Sequence, residues 1–458
     1  MDGRLRSRCV DVRPCAQHHV RAGNGSERSY DSPMPWDVEV VADSDSRWKW
    51  GATLAERLSP DGSRIHATLL LGRSCPTDRQ LADIGIRPAS IRRVGSADAV
   101  ARLKDSTAQV VVLACVGGGV QTLLHALSTA WAGHRQRPVV VSGYVGLVYE
   151  RVLDGLLARA GSDVVLANSA RDAEAFRAIF SDAGVDPSTV VQTALPFLSG
   201  APYDPAAAGR DRPFTLTFVA QPGVPHSKAD RRYALEQAVA YARTYADRHV
   251  LIKLRGRPGE RTTHVEPHHY TSLVDPDTLP SNLAFAYGAM EPVLDRTDLC
   301  VTVSSTAAIE AMHRGIPTGI LVDFGVREHL GNQLFLGSGA MTSWHQLLAG
   351  AVPSASADWL ARNGARDPAP YDAARARVAE LVASGSALPP LRPWLTQADA
   401  ARYLPALLAS YGIGPDGAPL YPAGAPRLGS RAVRNTARRA YAYGVRVLEP
   451  RIKRIAQL

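Results

Sequence analysis

Apolar, β-branched runs alternate with amphipathic segments along most of this chain, and that alternation limits the folds open to it more than any other feature. Runs at residues 37–42, 65–71, 109–115, 138–142, 163–167 and 190–193 are apolar on both faces of an extended strand, and segments of helical period such as 50–58, 120–131 and 170–180 separate them. Strands buried on both faces and joined by helices form parallel sheets, because each parallel connection needs a crossover long enough for a helix. The pattern predicts an α/β domain over residues 34–198. Residues 199–213, rich in Gly, Ala, Pro and Asp and without periodicity, read as a linker. The strand–helix alternation resumes at 214–220, 249–254, 283–287, 299–303 and 318–322, with a long amphipathic helix over 228–247. A second α/β domain is therefore expected over 214–356. The fold class is α/β, with two Rossmann-like doubly wound domains facing across a cleft at the carboxyl ends of their strands.

The length of 458 residues suits two cores rather than one. No apolar run approaches the roughly 18 residues of a membrane-spanning helix, and residues 1–33 lack the apolar stretch of a secretion signal. They read as a disordered leader ahead of Met34, and the expected location is the cytoplasm. Five scattered cysteines without a C-x-x-C pair argue for reduced thiols and against a zinc site. Charge is placed unevenly. Residues 427–458 carry nine basic residues and one acid, a large part of the formal net charge of +9. Following a helical, Pro-rich extension over 357–426, that amphipathic tail fits an anionic membrane surface at the inner face of the plasma membrane. A solvated helix packed on the body is the other reading. The body carries no recognised nucleic-acid-binding module, so no nucleic acid is expected as a partner.

The stretch DLCVTVSSTAAIEAMHRGIPTGILVD runs from a buried strand into Ser304, Ser305 and Thr306 and then into a helix. Hydroxyls and free backbone N–H groups at the positive end of a helix suit a phosphate, although Ser and Thr also serve as ordinary caps. The preceding strand ends in Lys253 and Arg255, whose spacing of two puts both on one side of the strand at the cleft rim. These groups would neutralise a phosphate without a metal or other cofactor. The first strand leads into Asp43 and Asp45; either carboxylate could deprotonate a hydroxyl or cap the following helix. A metal-binding reading of this Asp-Ser-Asp, or of Asp275-Pro276-Asp277, fits its chain position poorly, so no metal ligands are assigned. Gly117, Gly118, Tyr144 and Gly146 follow successive strands of the first domain and are expected to line the cleft. Glu291, in a first helical turn, and His226, in the loop QPGVPHSK, are further candidates for contact with a donor.

The S-S-T-A-A-I-E-A block followed by G-I-P, the K-x-R strand end and the paired α/β domains resemble glycosyltransferases of the GT-B fold, especially bacterial enzymes of surface-polysaccharide assembly. The opening VVADSDSRWKWGATLAERL is similar to the start of a bacterial family classed among glycosyltransferases; the resemblance covers roughly residues 34–351. It implies a nucleotide-sugar donor in the second domain and a glycan or glycolipid acceptor in the first. It also implies a role for Ser304 and Ser305 like that of the Ser-Ser/Thr pair that binds the CMP phosphate in bacterial sialyltransferases and polysialyltransferases. The His-Pro pair of those enzymes has no counterpart here, where Glu266-Pro267-His268-His269 stands instead, and their acidic pair followed by Gly is missing too. On this resemblance the expected activity is transfer of a sugar, with a CMP-activated acidic sugar as the first donor, to a hydroxyl, with inversion. A CDP-polyol phosphotransferase, a nucleotide-sugar epimerase and a non-catalytic glycan- or partner-binding scaffold of the same fold are the alternatives.

Overall fold

The computed structural model describes residues 9–11, 35–59, 62–72, 74–148, 152–258, 260, 266, 268–367, 369–384, 388–396 and 398–420. The basic tail at 427–458 lies outside them, as does most of the expected leader. Three leader residues, however, form a strand, β1 (Cys9–Asp11).

The first domain is built on β2 (Trp36–Ala42), β3 (Ser63–Leu70), β4 (Ser90–Val94), β5 (Val110–Ala114), β6 (Val139–Gly143), β7 (Val164–Ala167) and β8 (Val190–Gln192). They pair in parallel in the order β4-β3-β2-β5-β6-β7-β8. The second is built on β9 (Thr215–Val219), β10 (His249–Lys253), β11 (Leu283–Tyr287), β12 (Leu299–Thr302), β13 (Thr318–Leu321) and β14 (Met341–Thr342), ordered β1-β11-β10-β9-β12-β13-β14 and again parallel. Both sheets are therefore the doubly wound parallel sheets that the apolar runs predict.

Three strands differ from the sequence expectation. β4 reads SIRRV and is largely exposed at a sheet edge, so it has no apolar signature to find. β14 has two residues, too few for periodicity. β1 extends the edge of the second sheet, with Cys9 opposite Phe285 and Asp11 opposite Tyr287.

The helical region after residue 356 is less an appendage than a return to the first domain. Tyr371, Ala374 and Val378 are buried in one of its cores, and Leu391, Leu404, Leu408 and Ile413 in another. The chain thus starts the first domain, builds the second, and finishes on the first.

The helix Asp45–Leu58 crosses the first sheet so closely that it needs a glycine in its middle. A Cβ on Gly51 would lie 2.6 Å from Val40 Cγ1 and 2.9 Å from Ala114 Cβ, below any normal contact. This contact fixes the height at which the start of the helix stands over the cleft. Gly51→Ala is expected to destabilise the protein by about 1–3 kcal/mol through overpacking, despite its better helix propensity. Chemical denaturation of the two proteins checks this, and equal stability would mean that the helix can lift at no cost.

Candidate functional site

The carboxyl ends of both sheets face one cleft, and the residues there are positioned by strand ends and helix starts. In the first domain Ser44, not either neighbouring aspartate, is the N-cap; its hydroxyl accepts the Arg47 N–H at 3.4 Å. Asp43 is held on both oxygens, by Arg47 at 2.8 Å and by the Val116 N–H at 3.1 Å, so it ties the first loop to the end of β5. Asp45 stands in the first helical turn and points across the cleft. Its Oδ2 accepts from Arg255 Nη2 of the second domain at 2.6 Å, and the same guanidinium donates to Ser46 Oγ at 2.8 Å.

In the second domain β10 ends at Lys253, and Arg255 lies in the loop beyond rather than on the strand. The two cations therefore differ sharply in setting. Lys253 is 7% exposed and donates to the Leu254 carbonyl at 2.8 Å. Burial, helped by the like charge of Arg255, pushes its ammonium down to about 8.

The three hydroxyls at the end of β12 separate as well. Ser304 is buried; its hydroxyl donates to the Leu330 carbonyl, and its N–H donates to Gln221 Oε1 at 3.0 Å. It staples three loops together. Ser305 Oγ accepts the Ala307 N–H at 3.3 Å. Thr306, the residue before the helix Ala307–Arg314, makes no side-chain cap bond. Its Oγ1 faces the first domain, 3.4 Å from where a Cβ on Gly146 would stand.

The other predicted positions divide. Gly146 meets the second domain through Thr306, whereas Gly118 packs against Leu407 and Tyr411 of the returning chain. Gly117 begins the helix Gly117–Ala130 beside Ala158 and Arg159. Tyr144 turns inward: its hydroxyl donates to the Val152 carbonyl at 3.0 Å, and burial pushes its phenol up to about 12. Glu291 is well exposed and lies 3.9 Å from Arg314, and His226 is exposed just before the Ser227 cap of the next helix.

Sequence reasoning missed three residues that the fold brings to the cleft. Lys49, on the first helix, lies 3.9 Å from Glu310 Oε2 of the second domain and 4.5 Å from the Phe197 ring centroid. Glu310 is buried enough for its carboxyl to be pushed up, against the pull of Lys49. Gln221 orders the Ser304 turn and is itself placed by Arg231, which donates to the Gln221 carbonyl at 2.7 Å. No spacing rule reveals Lys49 and Glu310, since they lie far apart in sequence on different domains. Among the described residues, charge contacts thus run both ways between the domains: Asp45 of the first to Arg255 of the second, and Lys49 of the first to Glu310 of the second, with Arg79 paired to Glu260 as a further contact of the latter kind.

Cations and a helix start of the second domain, facing a carboxylate of the first, define a two-domain α/β protein whose cleft suits an anionic ligand. The chain belongs to the family described as "Putative glycosyltransferase (DUF6716)", whose model matches residues 38–381. Solved structures of similar fold include UDP-N-acetylglucosamine 2-epimerase from Rickettsia bellii, at 11% identity over 77% of this chain and 97% of that one (TM-score 0.48). MnaA of S. aureus, solved with UDP, is 11% identical over 75% and 95% (TM-score 0.47). The spinosyn rhamnosyltransferase SpnG is 15% identical over 79% and 98% (TM-score 0.40). No curated protein matches the chain in sequence.

Beside the cleft, Asp172 faces a small interdomain cavity lined also by Asn168, Ser169, Ile309, Leu334 and Asn363. Burial pushes its carboxyl from 3.8 up to about 6, partly offset by the Ser169 hydroxyl. The folded value lies above the unfolded one, so this group's contribution is full below pH ~4 and is lost as pH rises through about 6, at most about 3 kcal/mol. Asp172→Asn should be more stable than the parent at pH 7 and flatten stability between pH ~4 and ~6. Denaturation series across that range check it, and an Asn variant weaker than the parent at pH 7 would refute the assignment.

Proposed function

We propose that this protein transfers a sugar from a nucleotide-sugar donor, without a metal ion, to a hydroxyl of a cell-surface glycan. A CMP-activated acidic sugar is the donor to test first, on the sequence resemblance at Ser304 and Ser305. The observation that carries the reading is the contact of Arg255 with Asp45 across the cleft at 2.6 Å. An anionic donor competes with the carboxylate for the guanidinium. Arg255 and Lys253 then take the donor phosphate, with Thr306 and the N–H groups at its helix start as neutral donors. Asp45 is released toward the acceptor.

The chemistry follows from that exchange. The acceptor oxygen attacks the anomeric carbon while the bond from that carbon to the phosphate oxygen breaks. The hydroxyl proton passes to Asp45, and the electron pair leaves with the nucleotide, whose added negative charge Lys253 and Arg255 stabilise. Attack from the face opposite the leaving group inverts the anomeric configuration. Of the pair that carries the resemblance, Ser304 shapes the turn, since its hydroxyl donates to the Leu330 carbonyl, and Ser305, whose hydroxyl accepts from the Ala307 N–H, keeps a proton to donate to the phosphate. Glu291 and His226 lie outside this reaction scheme.

Thermal shifts with CMP, CDP, UDP, GDP and inorganic phosphate check the donor site. A ligand at 100 times its Kd stabilises by about 2.7 kcal/mol. One nucleotide should shift the parent selectively, and Lys253→Met should lose most of that shift. Because Lys253 loses its proton near pH 8, the parent's affinity should fall between pH 7 and 9 while that of the variant stays level. Absence of any nucleotide response would count against the donor reading. With donor and acceptor identified, Asp45→Asn should retain nucleotide binding and lose transfer by about 10²–10⁴-fold; undiminished turnover would remove Asp45 as the base.

A further inference from the structure

Three arginines are buried among the described residues, and two of them hold carboxylates: Arg231 contacts Glu266 at 2.7 Å and Arg314 contacts Asp295 at 2.7 Å. The third, Arg159, is 4% exposed and contacts no carboxylate among the described residues. Its Nε donates to the Gly143 carbonyl at 2.8 Å and its Nη1 to the Gly155 carbonyl, while its Nη2 makes no hydrogen bond among the described residues. The guanidinium also stacks 4.1 Å from the Tyr144 ring centroid. Carbonyl dipoles and an aromatic face partly offset the burial of a positive charge but do not cancel it. Burial, together with the like charge of Arg47, pushes this arginine below its ordinary value.

Arg159 stands at the start of the helix Gly117–Ala130. Its Nη1 lies 3.8 Å from where a Cβ on Gly117 would be. No side chain caps this helix, and the N–H groups of Gly117, Gly118 and Gly119 precede its first internal bond, from Val120 N–H to the Val116 carbonyl. The nearby Asp43 takes the Val116 N–H and is itself paired with Arg47. A buried cation without a counter-charge therefore meets an uncapped, glycine-lined helix start, in the domain opposite the proposed donor site.

We propose that the Gly117 helix start and Arg159 form a second anion site, which holds a phosphoryl group carried by the acceptor. The identification of the ligand as an acceptor rests on the reading of the first domain as the acceptor side; the anion site itself does not. Two sources fit the chemistry, a sugar phosphate and a lipid phosphate. Exposed apolar side chains at Val116, the cap residue, and Tyr403, whose hydroxyl donates to Gln121 of that helix, flank the same helix start, which makes the lipid source worth a separate arm.

Gly117→Asp tests the site. The new Cβ would meet the Ala158 Cβ at 3.5 Å and Arg159 Nη1 at 3.8 Å, ordinary contacts at a helix start, so the variant can fold and supplies its own carboxylate to Arg159. The full chain is titrated by thermal shift with inorganic phosphate, glucose 1-phosphate and monomeric dihexanoyl phosphatidic acid at constant ionic strength, in a Lys253→Met/Arg255→Met background that removes the donor cations. At least one of the three is expected to shift that background, and Gly117→Asp added to it should melt higher without ligand and weaken the response at least tenfold. Arg159→Gln should lose the response too; if it fails to fold, Gly117→Asp still decides. No response to any of the three, or a response that survives Gly117→Asp, overturns the proposal. The nucleotide response of Gly117→Asp alone, with donor cations intact, reports separately on the donor site: its loss there and in the parent alike would defeat the donor reading while leaving the phosphate result standing.

Discussion

Parallel strand pairing is the constraint on which the molecule depends. All strands of one sheet end on the same side, so the loops at their carboxyl ends are collected into one surface while helices cover both faces. Two such sheets joined by a linker and by a returning chain bring those surfaces together. Everything polar in the cleft is placed by that geometry: Asp45 by the helix that Gly51 lets down onto β2 and β5, Lys253 by the last residue of β10, and Thr306 by the turn that Ser304 staples to Gln221 and Leu330.

The charges that meet across the cleft are partly exposed and weakly held. Arg255 and Lys49 are each more than a third exposed in their side chains, and ion pairs of that kind hold little net energy, typically below about 1 kcal/mol. Contacts of that strength are weak enough for an anion to displace. Lys253 is the opposite case. Its burial disfavours its own charge, so an anion that binds there regains electrostatic energy that water does not supply in the apo protein. On the proposed donor reading, a phosphate would replace the weak Asp45 contact at Arg255 and supply Lys253 with the counter-charge that its burial calls for.

The sequence made the sheets legible because strands buried on both faces leave long apolar runs, and it missed β4 because a solvated edge strand leaves none. Within the site, residues were legible where local chemistry is one-dimensional. Lys253 and Arg255 stood out as cations at a strand end, and Ser304 to Thr306 as hydroxyls at a helix start. What spacing could not show was which hydroxyl faces inward, since Ser304 and Thr306 differ only in the direction their turn gives them. Contacts between domains were invisible for a simpler reason. Lys49 with Glu310 and Asp45 with Arg255 pair across more than two hundred positions of chain, and a single sequence contains no signal of that pairing.

Arg159 shows why missing partners can inform as much as those present. Folding tolerates a buried guanidinium when a carboxylate neutralises it, as Glu266 does for Arg231. Where only carbonyls and an aromatic ring are offered, apolar packing of similar volume would generally be at least as stable. An arginine at such a place therefore contributes little to stability, and the proposed anion would give its charge a partner. On the proposed reaction the donor's anion binds the second domain, and an acceptor that carries a phosphoryl group would need a cationic seat of its own on the first. Separate cationic seats on the two domains would keep the two anions apart, because each would then be held by its own domain.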